Sequence, residues 1–294
     1  MELAEALGAW IVSLDSMQVY RRMDVGTAKP TPAERERVPH FALDLVEPSE
    51  RYDVQRYLAD ARAAVAAVHA QGKRALFVGG SGLYLKALTS GLHEGPGADL
   101  ELRAGLEERV RMEGVPALHA ELARVDPEAA QRIHPADKKR VVRALEVFQQ
   151  TGRPISDWQR EWGWHGRAPL ERELRIVGLA LEPEVLQDRV RGRVRAMLAQ
   201  GWVDEARAIR DGVGFGPTAI QALGYREVLE HADGRLDRDA LEERLVQRTR
   251  QFIRRQRTWF RSFAAVRWID PRSPDALASA RELLDDQPGL TSGS

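Results

Sequence analysis

Asp15 closes a continuous apolar run, Ala9-Trp10-Ile11-Val12-Ser13-Leu14, and is followed by Ser16, Met17 and Gln18. Such a run reads as a buried strand, and open parallel sheets bind ligands at the carboxyl ends of their strands. A carboxylate placed there acts as a general base or holds Mg2+, although the same residue also serves to cap a helix or fix a turn. Gly79-Gly80-Ser81-Gly82 lies between a second strand pattern and a helix. Backbone N–H groups at such a helix start bind anions, while glycines there also simply let a helix pack close. Arg189 and Arg193 stand four apart, hence on one helix face, where paired guanidiniums clamp a diphosphate or merely meet water. Lys139, Arg140 and Arg143 follow a helix start at His134-Pro135. From Arg244 to Arg261 there are seven arginines (244, 248, 250, 254, 255, 257, 261) and no acid. At helical spacing Leu241, Leu245, Phe252, Trp259 and Phe263 fall near one face, which assigns that face to the core and the arginines to the surface. A surface of that kind suits RNA phosphates, or acids elsewhere in the fold.

Composition narrows the classes. The chain has 294 residues, 43% of them hydrophobic and 30% charged, which supports a real core and excludes disorder. Its 44 basic and 44 acidic residues give a formal net charge of +0, so attraction to a polyanion must come from local patches. Five of the basic residues are Lys and the rest Arg, the residue suited to bidentate phosphate contacts. The absence of Cys excludes disulfides, a thiol nucleophile and thiolate zinc sites. No apolar run approaches about 18 residues, and no basic-then-apolar leader opens the chain, so a soluble cytoplasmic protein with no membrane role is expected.

The elements that position these residues alternate. A short helix stopped by Gly8 precedes the first strand; a helix over 54–71 leads to a strand at 75–78, then the glycine turn and a helix beginning near Leu83. This rhythm predicts an α/β parallel sheet. After Gly95-Pro96-Gly97 the pattern becomes helical and charged, with helices over 99–113, 117–124, from Asp126-Pro127 and 137–150. Trp158, Trp162 and Trp164 cluster beyond it. The sheet pattern resumes at 174–181, followed by helices over 183–210, 218–231 and 237–263, a strand at 266–270 and a helix at 273–285. The expected domains are an α/β core of 1–94 and 170–286, a helical insertion of 95–169, and a disordered tail of 287–294. Nothing suggests a coiled coil or a swapped interface, so a monomer is expected.

Taken in order, several segments resemble the tRNA dimethylallyltransferase family. They are Ile11-Val12-Ser13-Leu14-Asp15-Ser16-Met17-Gln18-Val19-Tyr20, Met23-Asp24-Val25-Gly26-Thr27-Ala28-Lys29-Pro30 and Phe77-Val78-Gly79-Gly80-Ser81-Gly82-Leu83-Tyr84. Ile133-His134-Pro135-Ala136-Asp137, Arg140 with Arg143-Ala144-Leu145-Glu146, Ala222-Leu223-Gly224-Tyr225-Arg226 and Arg255-Gln256-Arg257-Thr258-Trp259-Phe260 complete the set. The resemblance implies a P-loop-type α/β core with an inserted helical domain. It implies transfer of a dimethylallyl group from dimethylallyl diphosphate to N6 of the adenosine 3′ to the anticodon. By the same resemblance Asp15 would be the general base and Asp15, Ser16, Met17 and Gln18 would contact the flipped-out base. Ser81, Arg103, Lys139, Arg140, Val141, Val142 and Arg143, together with Gln221, Ala222, Leu223, Gly224, Tyr225 and Arg226, would touch the tRNA anticodon stem-loop. Lys29, Arg189 and Arg193 would bind the diphosphate, with Arg193 counted as catalytic and Mg2+ carried on the diphosphate. Such transfer needs the departing charge neutralised while a base relieves the amine of its proton, and an unpaired anticodon-loop base is extruded at little cost.

The family also opens with a strand and a Gly-rich loop ending Gly-Lys-Thr, which grips diphosphate and Mg2+. That tripeptide does not occur here. The expectation is therefore a fold lacking its first strand and P-loop, from a misassigned start or a truncated paralogue, that binds tRNA with reduced catalysis. Ser81 stands where Thr is usual, and Gln221 where some relatives carry Arg. A small-molecule kinase sharing the glycine turn, and a non-catalytic tRNA-binding protein, are the alternatives.

Overall fold

The computed structural model describes residues 1–90, 96–161 and 174–285. The chain divides into two compact units, one of Met1–Ala87 with Glu173–Ser294 and one of Leu88–Arg172. The sequence placed this boundary at the Gly95-Pro96-Gly97 breaker; the structure draws it a few residues earlier.

In the first unit, α1 (Glu2–Ala6) ends through Gly8 in the left-handed region and enters β1 (Ala9–Leu14). The chain runs through α2 (Pro32–Arg37) and β2 (His40–Phe41), then α3 (Val54–Ala70), β3 (Arg74–Gly79) and α4 (Gly82–Ser90). Thr31 and Glu34 close a reciprocal capping box at α2, and Asp53 caps α3 by accepting from the Gln55 and Arg56 amides. The strands are parallel in the order β2-β1-β3, with Leu14 in register with Gly79. β1 is central, and its Ile11, Val12 and Leu14 are buried, as the continuous apolar run requires. The stacked rings of Tyr57 and Tyr84, 3.9 Å apart between centroids, cover the sheet beside Ser13, whose carbonyl accepts the Tyr57 hydroxyl at 3.0 Å.

The same unit resumes with β4 (Ile176–Leu179), α10 (Pro183–Ala199), α11 (Trp202–Asp211), α12 (Tyr225–Ala232), α13 (Arg238–Phe260), β5 (Val266–Ile269) and α14 (Ala276–Asp285). β4 and β5 form a second parallel sheet. The sequence pattern has the sheet resume at 174–181; instead β4 and β5 pair apart from β1–β3, and Val78 and Leu179 are 48% and 65% exposed. Two helix expectations also change. The pattern over 183–210 is two helices because Gly201 takes φ +93 between them. The pattern over 218–231 is a 3-10 turn, Ala219–Gln221, then α12, separated by Gly224 at φ +89.

The second unit is helical: α5 (Leu100–Glu113), α6 (Val115–Val125), α7 (Pro127–Arg132), α8 (Lys138–Thr151) and α9 (Ile155–Glu161). Asp99, Asp126 and Asp137 cap three of these helices through their carboxylates, and Gly152 in the left-handed region ends α8. Its core joins Leu106, Leu118, Leu122, Val141, Val142 and Leu145. Of the expected tryptophan cluster, Trp158 lies in α9, while Trp162 and Trp164 fall outside the described residues, as does the tail at 287–294.

Candidate active site

β1 delivers Asp15 to its carboxyl end, and the chain turns at once. Asp15 Oδ1 accepts the Met17 amide at 2.8 Å and the Gln18 amide at 3.4 Å, which fixes the carboxylate plane. Among the described residues no hydrogen bond reaches Oδ2, so one oxygen is held and the other is available to accept a proton. Burial raises the Asp15 carboxyl above its ordinary value; the Met17 and Gln18 amides and the charge of Arg193 act against that rise without cancelling it. A half-buried strand-end carboxylate with a raised pKa is a stronger base than a free one, which suits it to proton abstraction.

The turn after Asp15 is braced from two sides. Ser81 Oγ accepts the Ser16 amide at 3.0 Å, and the Ser81 amide donates to Leu14 O at 3.0 Å. Gln18 is held at both ends of its amide: Oε1 accepts Ser13 Oγ at 3.0 Å, and Nε2 donates to Thr27 O at 3.2 Å. The glycine turn that carries Ser81 is a packing device. A Cβ on Gly79 would strike the Leu14 backbone, one on Gly80 would lie 2.1 Å from Gln256 Nε2, and one on Gly82 would lie 2.3 Å from Trp259 Cδ1. Gln256 donates to Gly80 O at 3.0 Å, so α13 sits against the turn. Of the two readings the sequence left open, close packing accounts for these glycines.

α10 separates the arginine pair. Arg193 is exposed, makes no ion pair among the described residues and acts electrostatically on Asp15. Arg189 instead lies in the field of Asp270, whose carboxyl is lowered to about 2 chiefly by its hydrogen bonds with Arg272. Of this pair, Arg193 is the one whose charge acts on Asp15.

Lys29 requires correction as a diphosphate ligand. Its side chain is 1% exposed, and Nζ donates to Tyr20 O at 2.7 Å, Asp24 Oδ1 at 2.6 Å and Asp44 Oδ1 at 2.7 Å. An ammonium has three donors, and all are taken by the chain itself. Tyr225 and Ala222 are likewise buried; the Tyr225 hydroxyl donates to Glu205 Oε1 at 2.6 Å. In the stretch 221–226 the exposed side chains are Gln221, which donates to Pro217 O, and Arg226.

In the helical unit the expected tRNA contacts also divide. Val141 and Val142 are core residues, so their side chains cannot meet RNA, whereas Lys139 and Arg140 are exposed. Arg103 and Arg143 converge on the fully buried Glu146, at 2.6 and 3.1 Å, and the Asp99 amide donates to the same carboxylate. Glu146 therefore holds both guanidiniums side by side at the edge of this unit.

α13 corrects the expected apolar face. Leu241, Leu245 and Val246 are buried, but Phe252 and Trp259 are 42% and 38% exposed, and no residue from 247 to 260 is buried. Arg244 pairs with Glu230 and Arg248 with Glu227. Arg250, Arg254, Arg255, Arg257 and Arg261 have no acidic partner within 4 Å among the described residues, so the second half of the helix is a surface of arginines interleaved with aromatics.

Sequence reasoning missed Glu205 and Tyr57, and gave Tyr84 no role. The tyrosines stack over the strand that ends in Asp15, and Glu205 binds a loop 180 residues away in the chain. No local spacing marks such contacts.

Fold and site together define a class: one α/β unit with a strand-end carboxylate in the field of an arginine, and a second unit made of helices. A family model described as IPP transferase matches residues 18–263. The chain is 46% identical to the tRNA dimethylallyltransferase of Syntrophobacter fumaroxidans, over 95% of its own length and 81% of that protein. It is 43% identical to the tRNA dimethylallyltransferase of Geobacter sulfurreducens, over 95% and 89%. The solved full-length tRNA isopentenylpyrophosphate transferase of Bacillus halodurans matches with a TM-score of 0.67 and 35% identity, over 96% of this chain and 89% of that one. A solved eukaryotic dimethylallyltransferase acting on tRNA matches with a TM-score of 0.78 and 26% identity, over 99% and 77%. The chain belongs to the IPP transferase family.

Proposed function

We propose that this protein transfers a dimethylallyl group from dimethylallyl diphosphate to N6 of the adenosine 3′ to the anticodon of tRNA. The observation that carries the reading is Asp15, with one oxygen held and one available, under the influence of the otherwise unpaired Arg193. Relatives that share more than two fifths of its residues bear the name tRNA dimethylallyltransferase. In this reaction a bond forms between adenine N6 and the allylic carbon while the bond from that carbon to the diphosphate oxygen breaks. Asp15 takes the N6 proton, and the diphosphate leaves with the bonding electrons toward Arg193. The segment from Asp15 to Gln18 holds the extruded base, and the arginines of α13 draw in the phosphodiester chain. Ser81 and the exposed groups Arg140, Gln221 and Arg226 are further contacts in this reading.

Mg2+ would arrive bound to the substrate diphosphate and offset part of its charge. Among the described residues there is no group of three His, Cys, Asp or Glu that could hold a metal ion. No helix among the described residues is long and apolar enough to cross a membrane. The compartment that suits a tRNA substrate is the cytoplasm, and the reading includes it. The kinase alternative shares the α/β core and the glycine turn, but it gives no use for the acid-free arginine stretch 244–261 or for the helical unit. The non-catalytic alternative shares the α13 surface and is separated by product. Incubation with dimethylallyl diphosphate, Mg2+ and an anticodon stem-loop, followed by nucleoside mass spectrometry, should show one isoprenoid added to the expected adenosine. Salt-dependent RNA binding with no such product would overturn the reading.

A further inference from the structure

We propose that Glu205 is a positioning residue that fastens 15–18 and 221–226, the segments that contact tRNA on the reading above, into one binding surface; the inference rests on that reading. Glu205 lies in the first turn of α11 and is half-buried. Its Oε2 accepts the Asp24 and Val25 amides at 2.8 and 2.6 Å, and its Oε1 accepts the Gly26 amide at 3.0 Å. Three consecutive backbone N–H groups form an anion-binding concavity, and here the protein's own carboxylate fills it. Oε1 also accepts the Tyr225 hydroxyl at 2.6 Å, so one side chain joins the loop after β1 to the first residue of α12.

The packing around it admits little else. Trp202, one turn before Glu205, is buried between two glycines. A Cβ on Gly26 would lie 2.1 Å from Trp202 Nε1 and 2.5 Å from the Tyr225 hydroxyl, and one on Gly224 would lie 2.3 Å from Trp202 Cη2. Both loops therefore close against the same helix turn, each through a glycine that permits the approach. From the loop the link continues inward. Ala28, in the left-handed region at φ 47, follows Thr27, whose carbonyl receives the Gln18 amide. Thr27 Oγ1 donates to Met23 O at 2.5 Å and the Lys29 amide to Asp24 O at 2.9 Å, so the loop is tied to itself across 23–29. Loss of the carboxylate would release the loop and, with it, the carbonyl that aims Gln18. Glu205 itself need touch no substrate.

The test uses the full chain, a fluorescent anticodon stem-loop and amide hydrogen exchange. In Glu205→Gln the side-chain NH2 must oppose a backbone N–H. The stem-loop Kd should then rise about tenfold, in keeping with loss of a charge-assisted hydrogen bond. Exchange should accelerate over 24–28 and also over 15–18, and the slope of log Kd against log salt should be unchanged, because no phosphate contact is removed. A purely structural role would lower the melting temperature of the free protein without changing the affinity of the folded fraction. Tyr225→Phe removes one link and keeps the ring, so it should shift Kd and exchange in the same direction by a smaller factor, and it carries the test if Glu205→Gln does not fold. A stem-loop Kd within about twofold of wild type in the folded variants would overturn the inference alone. Failure of the wild type to bind the stem-loop would overturn the functional reading and this inference with it.

Discussion

Lys29 Nζ lies 2.7 Å from Asp44 Oδ1, on a side chain with almost no exposure. Arg35 reaches the other oxygen of the same carboxylate at 2.7 Å, so one Asp pins a lysine of the loop after β1 and an arginine of α2. Lys29→Met should cost about 2 kcal/mol in urea unfolding, less than a fully buried pair because Asp24 and Asp44 keep access to water. The affinity of the folded protein for diphosphate should stay unchanged, since the ammonium serves the loop. A large loss of diphosphate affinity without loss of stability would return Lys29 to the substrate site.

The same network has a pH signature. Burial would raise the Asp44 carboxyl, but hydrogen bonds and charges from Lys29 and Arg35 outweigh it and hold the group below 3.8. A group with a depressed folded pKa contributes stability above its unfolded value and loses it as pH falls through the folded one. Wild type should therefore lose part of its stability below about pH 4, and Asp44→Asn should flatten that part of the profile when unfolding is followed by circular dichroism.

Asp15 has the opposite shift. Its carboxyl is raised by burial, so the acid limb of the pH–rate profile should lie above 3.8, with the rate rising as the base ionises. Arg193 opposes that rise, and Arg193→Gln should move the limb to higher pH as well as weakening diphosphate binding. An unmoved limb would show that the two groups do not act on one another.

How far the sequence foretells such features depends on whether their cause is local. Asp15 was legible because an apolar run and the residue after it define a strand end without any distant partner. The helix starts at Asp99, Asp126 and Asp137 were legible for the same reason. Lys29 was not, because its burial is set by Asp44, fifteen residues on. The periodicity of α13 correctly marks Leu241 and Leu245 as core, but no residue from 247 to 260 is buried, so the same spacing fails at Phe252 and Trp259. The break at Gly201 was hidden because apolar spacing continues across it into α11.

Gly224 stands in the left-handed region with Trp202 and Leu245 against it. Gly224→Ala adds both backbone strain and overpacking, and should cost about 3 kcal/mol in thermal or urea unfolding. Gly234→Ala, which shares the positive φ but has open space beside it, should cost only the smaller backbone share.

The arginines of α13 should separate by their partners. If Arg254, Arg255 and Arg257 meet RNA phosphates, each change to Ala should lower the slope of log Kd against log salt by about 1 for stem-loop binding. Arg244→Ala and Arg248→Ala should lower it less, because Glu230 and Glu227 already neutralise those charges.

The most direct measurement is single-turnover transfer of the isoprenoid to an anticodon stem-loop by wild type and Asp15→Asn, with RNA affinity measured alongside. The account expects wild type to form the N6-substituted adenosine, and Asp15→Asn to bind the RNA equally well while transferring roughly 10² to 10⁴ times more slowly. Transfer by Asp15→Asn at the wild-type rate would contradict it.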